Sequence, residues 1–301
     1  MILNGSQIVM EVLLEHKVEV VFGYPGGAVL NIYDALYEYK DKIRHIMPVD
    51  ECGACHAADG YARASGKTGV VIATSGPGAT NLVTPLATAY MDSVPLVAIT
   101  GNVPTGIMGK DSFQEVYIAG ITMPITKHNF IVRDIKDLAR TLREAFIIAN
   151  SGRKGPVLVD IPKDISVAKC EYTKHFPKKP SQKSAEFKDE LAQILTLIKQ
   201  SRKPLVYFGG GAKDASENLL AFMKKAQIPC VHTTMSAGTI SHKEPLNAGL
   251  LGMHGRVTCN EIMSEADLIL AIGTRFSDRV ALNPREFAKN AKKVHIDIDI
   301  S

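Results

Sequence analysis

The sequence contains 301 residues, of which 46% are hydrophobic and 22% are charged, and its 35 Lys and Arg against 31 Asp and Glu leave a net charge of +4. This balance excludes a mainly disordered or fibrous chain. The positive charge is not gathered on one helix or interleaved with aromatic residues, so the sequence predicts no nucleic-acid surface. Its apolar stretches, such as Leu96–Thr100, are far shorter than the roughly 18 residues of a spanning helix, so no membrane segment is predicted.

Short apolar, β-branched runs alternate with helical patterns in the first part of the chain, which is typical of a parallel sheet covered by helices. Strands are predicted at Val18–Phe22, Gly69–Thr74, Pro95–Thr100 and Pro156–Ile161. Helices are predicted at Ala28–Tyr39, Cys52–Ala64, Ala79–Met91 and Ile135–Asn150. We therefore predict a first α/β domain over residues 1–168.

Residues 169–190 are predicted to be a linker, because lysines and prolines replace the aliphatic residues that a core would need. The α/β alternation then restarts and predicts a second domain over residues 191–301. Its expected elements are a helix at Ser216–Ala226 and strands at Lys203–Phe208, Ile228–Thr233, Leu268–Ile272 and Lys293–Asp299. Because the last strand lies at the terminus, this domain is expected to be incomplete at its C-terminal end. The predicted fold class is α/β, with two three-layer domains and mainly parallel sheets.

Three glycine-rich turns follow predicted strands, at Gly23–Gly27, Ser75–Gly78 and Gly209–Gly211. None completes a nucleotide fingerprint, since Asp214 stands where the dinucleotide motif needs a small residue. The pair Cys52-x-x-Cys55 is not expected to bind metal or to work in redox chemistry, because it lacks two further ligands. The first residues contain no basic leader before an apolar core, so a cytoplasmic protein is predicted.

Several longer motifs occur in a fixed order, and together they resemble the acetolactate synthase (acetohydroxyacid synthase) catalytic-subunit family of thiamine-diphosphate enzymes. In the first domain the motifs are Phe22–Gly27, Glu51–Arg63, Thr74–Asn81, Pro95–Gly101, Phe113–Glu115, Thr122–Phe130 and Gly155–Asp164. In the second they are Leu251–Gly255 and Ala271–Arg279. The resemblance implies a pyrimidine-binding first domain and a central second domain that holds FAD without using it for redox chemistry.

The resemblance also implies roles for individual residues of the first domain. Glu51 would be the catalytic acid that hydrogen-bonds N1′ of the aminopyrimidine, and this favours the tautomer that removes the proton from the thiazolium C2. The other contacts of thiamine diphosphate would be Pro25, Gly26, Gly27 and Gln114, while Phe113 and Lys163 would line the substrate channel. The implied reaction decarboxylates pyruvate and joins it to a second 2-oxo acid, giving 2-acetolactate or 2-aceto-2-hydroxybutyrate for isoleucine and valine biosynthesis.

For FAD the implied contacts lie in both domains, and they are Arg153, Gly209, Gly210, Gly211, Met253, His254, Gly273, Arg275, Asp297 and Asp299. Magnesium would be held by a third domain carrying a Gly-Asp-Gly…Asn motif, and no Gly-Asp-Gly occurs in this sequence. The chain is therefore expected to be truncated before that domain and inactive alone, with no metal site of its own. The implied partners are pyruvate, 2-oxobutanoate, further copies in a homodimer or tetramer, and a small regulatory subunit.

The sequence departs from the family at three positions, because Asp50, Cys52 and Asn102 stand where His, Gln and Gln are common. A second carboxylate next to Glu51 would oppose its ionisation, yet Asp50→His is expected not to lower the activity of a complete enzyme. Other thiamine-diphosphate enzymes stay open as alternatives: a catabolic acetolactate synthase, a glyoxylate carboligase or a pyruvate oxidase. A chain that only binds flavin or pairs with another subunit is the non-enzymatic alternative.

Overall fold

The protein is described by a computed structural model that covers residues 1–175 and 187–299. The chain divides into two compact units, Met1–Pro180 and Ser181–Ser301. Residues 176–186, in the middle of the predicted linker, lie outside the described part. Across the two described ranges, no helix has both the length and the apolar character needed to cross a membrane.

The first unit contains a parallel sheet with the strand order β3-β2-β4-β5-β7-β6 and a small antiparallel pair, β1 and β8. The strands are β1 (Ile2–Asn4), β2 (Val20–Gly23), β3 (Arg44–Ile46), β4 (Gly69–Ala73), β5 (Leu96–Asn102), β6 (His128–Ile131), β7 (Pro156–Pro162) and β8 (Lys169–Glu171). The helices are α1 (Gly5–Glu15), α2 (Leu30–Glu38), α3 (Glu51–Ser65), α4 (Pro77–Thr80), α5 (Val83–Met91), α6 (Ile118–Thr122), α7 (Ile135–Asn150) and α8 (Lys163–Val167).

Helices cover both faces of this sheet, because side chains on successive strand residues point to opposite sides. On β4, Val70 and Ile72 belong to a core that also contains residues of α1, α2 and α7. Val71 and Ala73 belong to a second core with residues of α3 and α5. The central strands are buried on both faces, which explains why their sequences are uninterrupted apolar runs. The predicted three-layer α/β architecture is confirmed.

The second unit repeats this plan with a parallel sheet of order β11-β10-β9-β12-β13. Its strands are β9 (Pro204–Phe208), β10 (Cys230–His232), β11 (Asn247–Leu250), β12 (Leu268–Ile272) and β13 (Lys292–Ile296), and its helices are α9 (Lys188–Gln200), α10 (Ser216–Ala226) and α11 (Val257–Glu265). Residues of α10 pack with Val206 and Phe208 on one face, and residues of α11 pack with Tyr207 and Ile269 on the other.

Several elements differ from the sequence-based expectation, among them β3, β6 and β11, which were not predicted, and α9, which begins at Lys188 inside the predicted linker. The helix predicted at Ala79–Met91 is two helices, α4 and α5, with Asn81 and Leu82 between them. The predicted linker begins with a strand, since β8 pairs with β1 in the register Ile2↔Glu171. This pairing joins segments almost 170 residues apart, so no local pattern in the sequence could indicate it.

A buried carboxylate fastens the segment after β8 to the unit. The side chain of Glu15, at the end of α1, is fully buried and accepts hydrogen bonds from Arg143 Nε at 2.7 Å and Nη2 at 2.8 Å. The Tyr172 hydroxyl and the His175 amide also donate to Glu15 Oε1, each at 2.6 Å. Burial would raise the pKa of Glu15, but these hydrogen bonds and the charge of Arg143 outweigh burial and hold it below its ordinary value.

Candidate active site

The topology of the first unit places a switch point, called here the crevice, at the carboxyl ends of β2 and β4. These strands are neighbours, yet α2 after β2 and α5 after β4 pack on opposite faces of the sheet. Open parallel α/β sheets bind ligands at such a switch point. The loops that leave the two strands are joined by a hydrogen bond from the Ala28 amide to Thr74 Oγ1 at 3.2 Å.

Glu51 reaches this crevice from the first turn of α3. The preceding residue, Asp50, caps the helix, because its Oδ1 accepts the Gly53 amide at 2.6 Å. Glu51 is only 9% exposed, and its Oε2 accepts a hydrogen bond from Asn81 Nδ2 at 2.9 Å. Among the described residues none donates to Oε1. A nearly buried carboxylate at the N-terminal end of α3 therefore keeps one oxygen free.

The turn after β4 packs tightly against this carboxylate. A Cβ on Gly78 would lie 2.8 Å from Glu51 Oε1, so any larger residue would fill the space beside the free oxygen. Gly76 has a φ of +60°, and a Cβ there would lie 2.6 Å from the carbonyl oxygen of Gln114. Glycine is thus required at Gly76, by close approach to backbone atoms and by its left-handed conformation, whereas a larger residue in place of Gly78 would displace the Glu51 carboxylate.

Gln114 belongs to a long connection, residues 103–117, that returns to the crevice after β5. The backbone of Gln114, which has a φ of +57°, lies against Gly76. The preceding Phe113 is 87% exposed. Glu115 folds the tip of this connection, since its carboxylate accepts the amides of Gly109 and of Ser112. The structure therefore brings Gln114 next to the turn that contacts Glu51, as the sequence motifs require.

The remaining first-unit residues expected at the site divide between the two edges of the sheet. Pro25, Gly26 and Gly27 follow β2 at the carboxyl edge, and the exposed Lys163 follows β7 at the same edge. Arg153 lies between α7 and β7, at the opposite edge, where its Nε donates to Ser93 Oγ at 2.9 Å. The structure thus gathers the residues expected to bind thiamine diphosphate and leaves Arg153 apart from them.

In the second unit the residues expected to contact FAD also share a carboxyl edge. Gly209–Gly211 follow β9 and Gly273 and Arg275 follow the adjacent β12, and the segments after these strands pack on opposite faces of the sheet. A Cβ on Gly209 would lie 2.5 Å from the Gly273 carbonyl oxygen, so the two turns pack on each other. Residues beyond β11 and β13 complete this edge, namely Met253, His254, Asp297 and Asp299. Such an edge at a switch point fits a nucleotide-bearing ligand.

The cysteine pair contributes to packing in α3. Cys55 is buried in the core of the α3 face, and Cys52 is half-buried one residue after Glu51. Within residues 1–175 and 187–299 there is no cluster of three His, Cys, Asp or Glu residues that could hold a metal ion.

Sequence reasoning missed two contacts of the carboxyl edge. Asn81 ends the motif Thr74–Asn81 and had no predicted role, although it is the hydrogen-bond donor to Glu51. It gave no role to Asp160 on β7, which is fully buried and accepts hydrogen bonds from Thr100 and Asn102 on β5. A charged residue inside the apolar run Pro156–Pro162 is the signal that could have revealed it.

The crevice of the first unit fits the aminopyrimidine of thiamine diphosphate. A protonated ring nitrogen could donate to the free Oε1 of Glu51, which has no donor in the described part of the chain, and Gly78 keeps the space beside that oxygen open. A nearly buried carboxylate left with an unused acceptor is the kind of group that a ligand satisfies.

Comparison with known proteins agrees with this reading. Residues 3–121 match the family described as "Thiamine pyrophosphate enzyme, N-terminal TPP binding domain", and residues 191–301 match "Thiamine pyrophosphate enzyme, central domain". An acetolactate synthase large subunit of Corynebacterium glutamicum is 48% identical over 99% of this chain and 48% of its own length. Acetolactate synthases of Mycobacterium leprae and Arabidopsis thaliana are 50% and 48% identical, over 99% and 98% of this chain and 48% and 45% of theirs.

The chain spans about half the length of these curated relatives. Each matched region lies within one of the two α/β units, and the similarity to the acetolactate synthases extends across nearly all residues of this chain. The chain therefore belongs to the thiamine pyrophosphate enzymes, of which it contains the N-terminal and central domains, and it is a homologue of acetolactate synthase large subunits.

Proposed function

We propose that this chain belongs to the catalytic subunit of an acetolactate synthase, which decarboxylates pyruvate and joins it to a second 2-oxo acid. The products would be 2-acetolactate and, from 2-oxobutanoate, 2-aceto-2-hydroxybutyrate, in branched-chain amino-acid biosynthesis. The observation that carries the proposal is the free oxygen of Glu51 in the crevice of a thiamine-diphosphate-binding domain. Identities of 48–50% with acetolactate synthases support the choice of reaction.

Bound thiamine diphosphate would supply the carbanion chemistry of the reaction. Glu51 would hold a proton between Oε1 and N1′ of the ring, and Asn81 would keep the carboxylate in place through Oε2. Pro25, Gly26 and Gly27 would pack along the cofactor from the β2 side, and Gln114 would contact it from the opposite loop. Each of these residues lies on a loop or at a helix end at one edge of the sheet, which suits precise orientation.

The substrate side would be formed by exposed residues of the same edge. Phe113 is 87% exposed beside Gln114, so it can contact an entering 2-oxo acid or another subunit. Lys163 is exposed after β7, and its ammonium group would attract the carboxylate of pyruvate toward the channel.

The second unit would hold FAD in a structural role at its glycine-rich edge. The proposed contacts there are Gly209, Gly210, Gly211, Met253, His254, Gly273, Arg275, Asp297 and Asp299. Magnesium would bind together with thiamine diphosphate. The proposed assembly is a cytoplasmic homodimer or tetramer with a small regulatory subunit.

The proposal is tested by assaying the full-length protein for acetolactate formation from pyruvate, with thiamine diphosphate, magnesium and FAD present. Acetolactate formation with redox-silent bound flavin is expected, and Glu51→Gln should abolish it. Reduction of the flavin by pyruvate would instead indicate an oxidase, and carboligation of glyoxylate alone would indicate a glyoxylate carboligase. Activity without any flavin requirement would favour a catabolic synthase, whereas binding of FAD without turnover would favour the non-enzymatic alternative.

A further inference from the structure

In the connection formed by residues 103–117, called here the Gln114 loop, apolar packing is found at the two ends, where Val103 is buried and the half-buried Val116 packs against the core that contains α3. From Pro104 to Tyr117 none of its residues is buried. Its backbone at Gln114 nevertheless packs against Gly76, beside the turn that contacts Glu51. Since apolar burial is slight between these two ends, polar contacts must set the position of the loop there.

The base of the Gln114 loop is held by a buried carboxylate. Asp160 Oδ2 accepts a hydrogen bond from Asn102 Nδ2 at 2.5 Å, and Asp160 Oδ1 accepts one from Thr100 Oγ1 at 2.7 Å. The other end of the Asn102 amide, Oδ1, accepts the backbone amide of Val103 at 2.7 Å. Asn102 therefore connects the fully buried Asp160 to the first peptide of the loop.

Two further carboxylates hold the loop beyond its base. Asp164, in the first turn of α8, accepts the amide of Thr105 at 3.1 Å and its hydroxyl at 2.5 Å. Glu115 accepts amides from Gly109 and Ser112, so it fixes the shape of the tip. Of these three acids only Asp160 is fully buried, so its position is fixed by the sheet itself.

The Asp160 carboxylate is costly for the fold. Its partners Thr100 and Asn102 are neutral, and burial raises the pKa of Asp160 to about 6 despite their hydrogen bonds. Apolar residues at such a position would commonly serve stability as well or better. The loss of stability caused by this buried acid is explained if the acid determines a geometry that apolar packing would not define.

We propose that Asp160 and Asn102 are positioning residues for the active site: the buried carboxylate orients the Asn102 amide, and this amide sets the direction in which the Gln114 loop leaves β5. The catalytic part of this inference rests on the proposed function, because Phe113 and Gln114 are assigned there to substrate and cofactor. The structural part, that the pair controls the order of the loop, stands independently of any reaction.

The decisive experiment exchanges the two side chains. In N102D two carboxylates face each other, and in D160N two amides do, so each single variant loses a matched hydrogen bond. In the double variant N102D/D160N the new amide donates to the new carboxylate, which still accepts the Val103 amide, and Thr100 still has an acceptor. All donors and acceptors are then matched again.

The first readout is hydrogen exchange of the loop amides in the full-length protein without substrate. Each single variant should raise exchange in residues 106–117 by about tenfold, the scale of one hydrogen bond, and the double variant should return it to within about threefold of the wild type. The control is T100V, which removes a hydrogen bond from the same carboxylate inside β5 and should leave loop exchange unchanged. The proposal is overturned if T100V and N102D accelerate loop exchange equally, or if the double variant does no better than the singles.

The second readout is steady-state kinetics of the full-length enzyme with pyruvate. The single variants should raise KM about tenfold with kcat changed less than about threefold, because the loop orients substrate while Glu51 is untouched, and the double variant should restore KM. Loss of kcat alone in the single variants would overturn the catalytic part. A wild-type protein that never turns over pyruvate would overturn the proposed function, and the exchange data would then decide the role of the pair by themselves.

Discussion

Two buried glutamates of the first unit, Glu15 and Glu51, differ in how completely their oxygens are used. Glu15 accepts hydrogen bonds from a guanidinium, a hydroxyl and a backbone amide, and these donors come from α7 and from the segment after β8. Glu51 accepts one bond from a neutral amide and keeps Oε1 free of donors in the described part of the chain. A saturated acid holds elements together, whereas an acid left open is available to a ligand.

The largest expected effect follows from removing the open carboxylate. Glu51→Gln in the full-length protein should slow C2–H exchange of bound thiamine diphosphate by at least about a hundredfold, since acid–base assistance typically contributes 10²–10⁴-fold. The measurement is deuterium exchange at C2, followed by quenching and NMR. The free energy of unfolding should change little, because only the Asn81 contact is affected. Unchanged C2 exchange would assign the catalytic acid to another residue.

Glu15, both of whose oxygens accept hydrogen bonds, should affect the free energy of unfolding rather than catalysis. Arg143→Met leaves Glu15 buried without its cation, and breaking such a pair should lower the free energy of unfolding by about 3 kcal/mol, measured by urea denaturation. The matched control is Arg140→Met on the same helix, whose ion pairs with Asp137 and Glu144 are exposed and worth less than about 1 kcal/mol. Equal losses in the two variants would contradict the distinction drawn between Glu15 and surface pairs.

Asp160 is an intermediate case, a buried acid with two neutral donors. Its folded pKa is raised by burial to about 6, above the ordinary value of 3.8, so its contribution to stability is full below pH 3.8 and is lost as the pH rises through 6. Between pH 4 and pH 7 the free energy of unfolding of the wild type should fall by about 2 kcal/mol relative to that of Asp160→Asn, because most of the interval from 3.8 to 6 lies in this range. Urea denaturation of both proteins at each pH measures this difference, and parallel pH profiles would refute it.

The smallest effect is expected at Asp50, the exposed acid that precedes Glu51. Asp50→His should cost about 1 kcal/mol of stability because the cap to the Gly53 amide is lost, while turnover of the complete enzyme should not fall. Asp50→Asn keeps a capping oxygen and should change stability by only a few tenths of a kcal/mol. Thermal unfolding and acetolactate assays compare the two variants, and a large loss of turnover in Asp50→His would show that Asp50 takes part in catalysis.

Much of the fold could be predicted from the sequence, because its strands are short, apolar and evenly spaced. The central strands β4, β5 and β7 lie close to their predicted bounds, and α7 coincides with its prediction. The ordered motifs also selected Glu51 and the glycine-rich turns after predicted strands. The structure then places Glu51 beside the turns that follow β2 and β4, because parallel strands align their carboxyl ends. What the structure added there is the hydrogen bonding, such as the contact between Asn81 and Glu51.

Contacts between distant segments could not be predicted in this way. The partners of Glu15 lie 128 to 160 residues away along the chain, and the pairing of β1 with β8 has a similar separation. The predicted linker from Lys169 onward did not include β8, because a three-residue strand has no periodicity of its own. The same limit concealed the role of Asp160, whose partners stand on a neighbouring strand.

The pairing of β1 with β8 has a consequence for how the first unit can be connected to other protein. The Tyr172 amide donates to the Met1 carbonyl at 2.8 Å, and the amino group of Met1 donates to the Tyr172 carbonyl at 3.0 Å. Met1 and Tyr172 therefore lie side by side. A module with adjoining ends can be grafted into another chain, or re-joined end to end and opened at a surface loop, with its parallel sheet undisturbed.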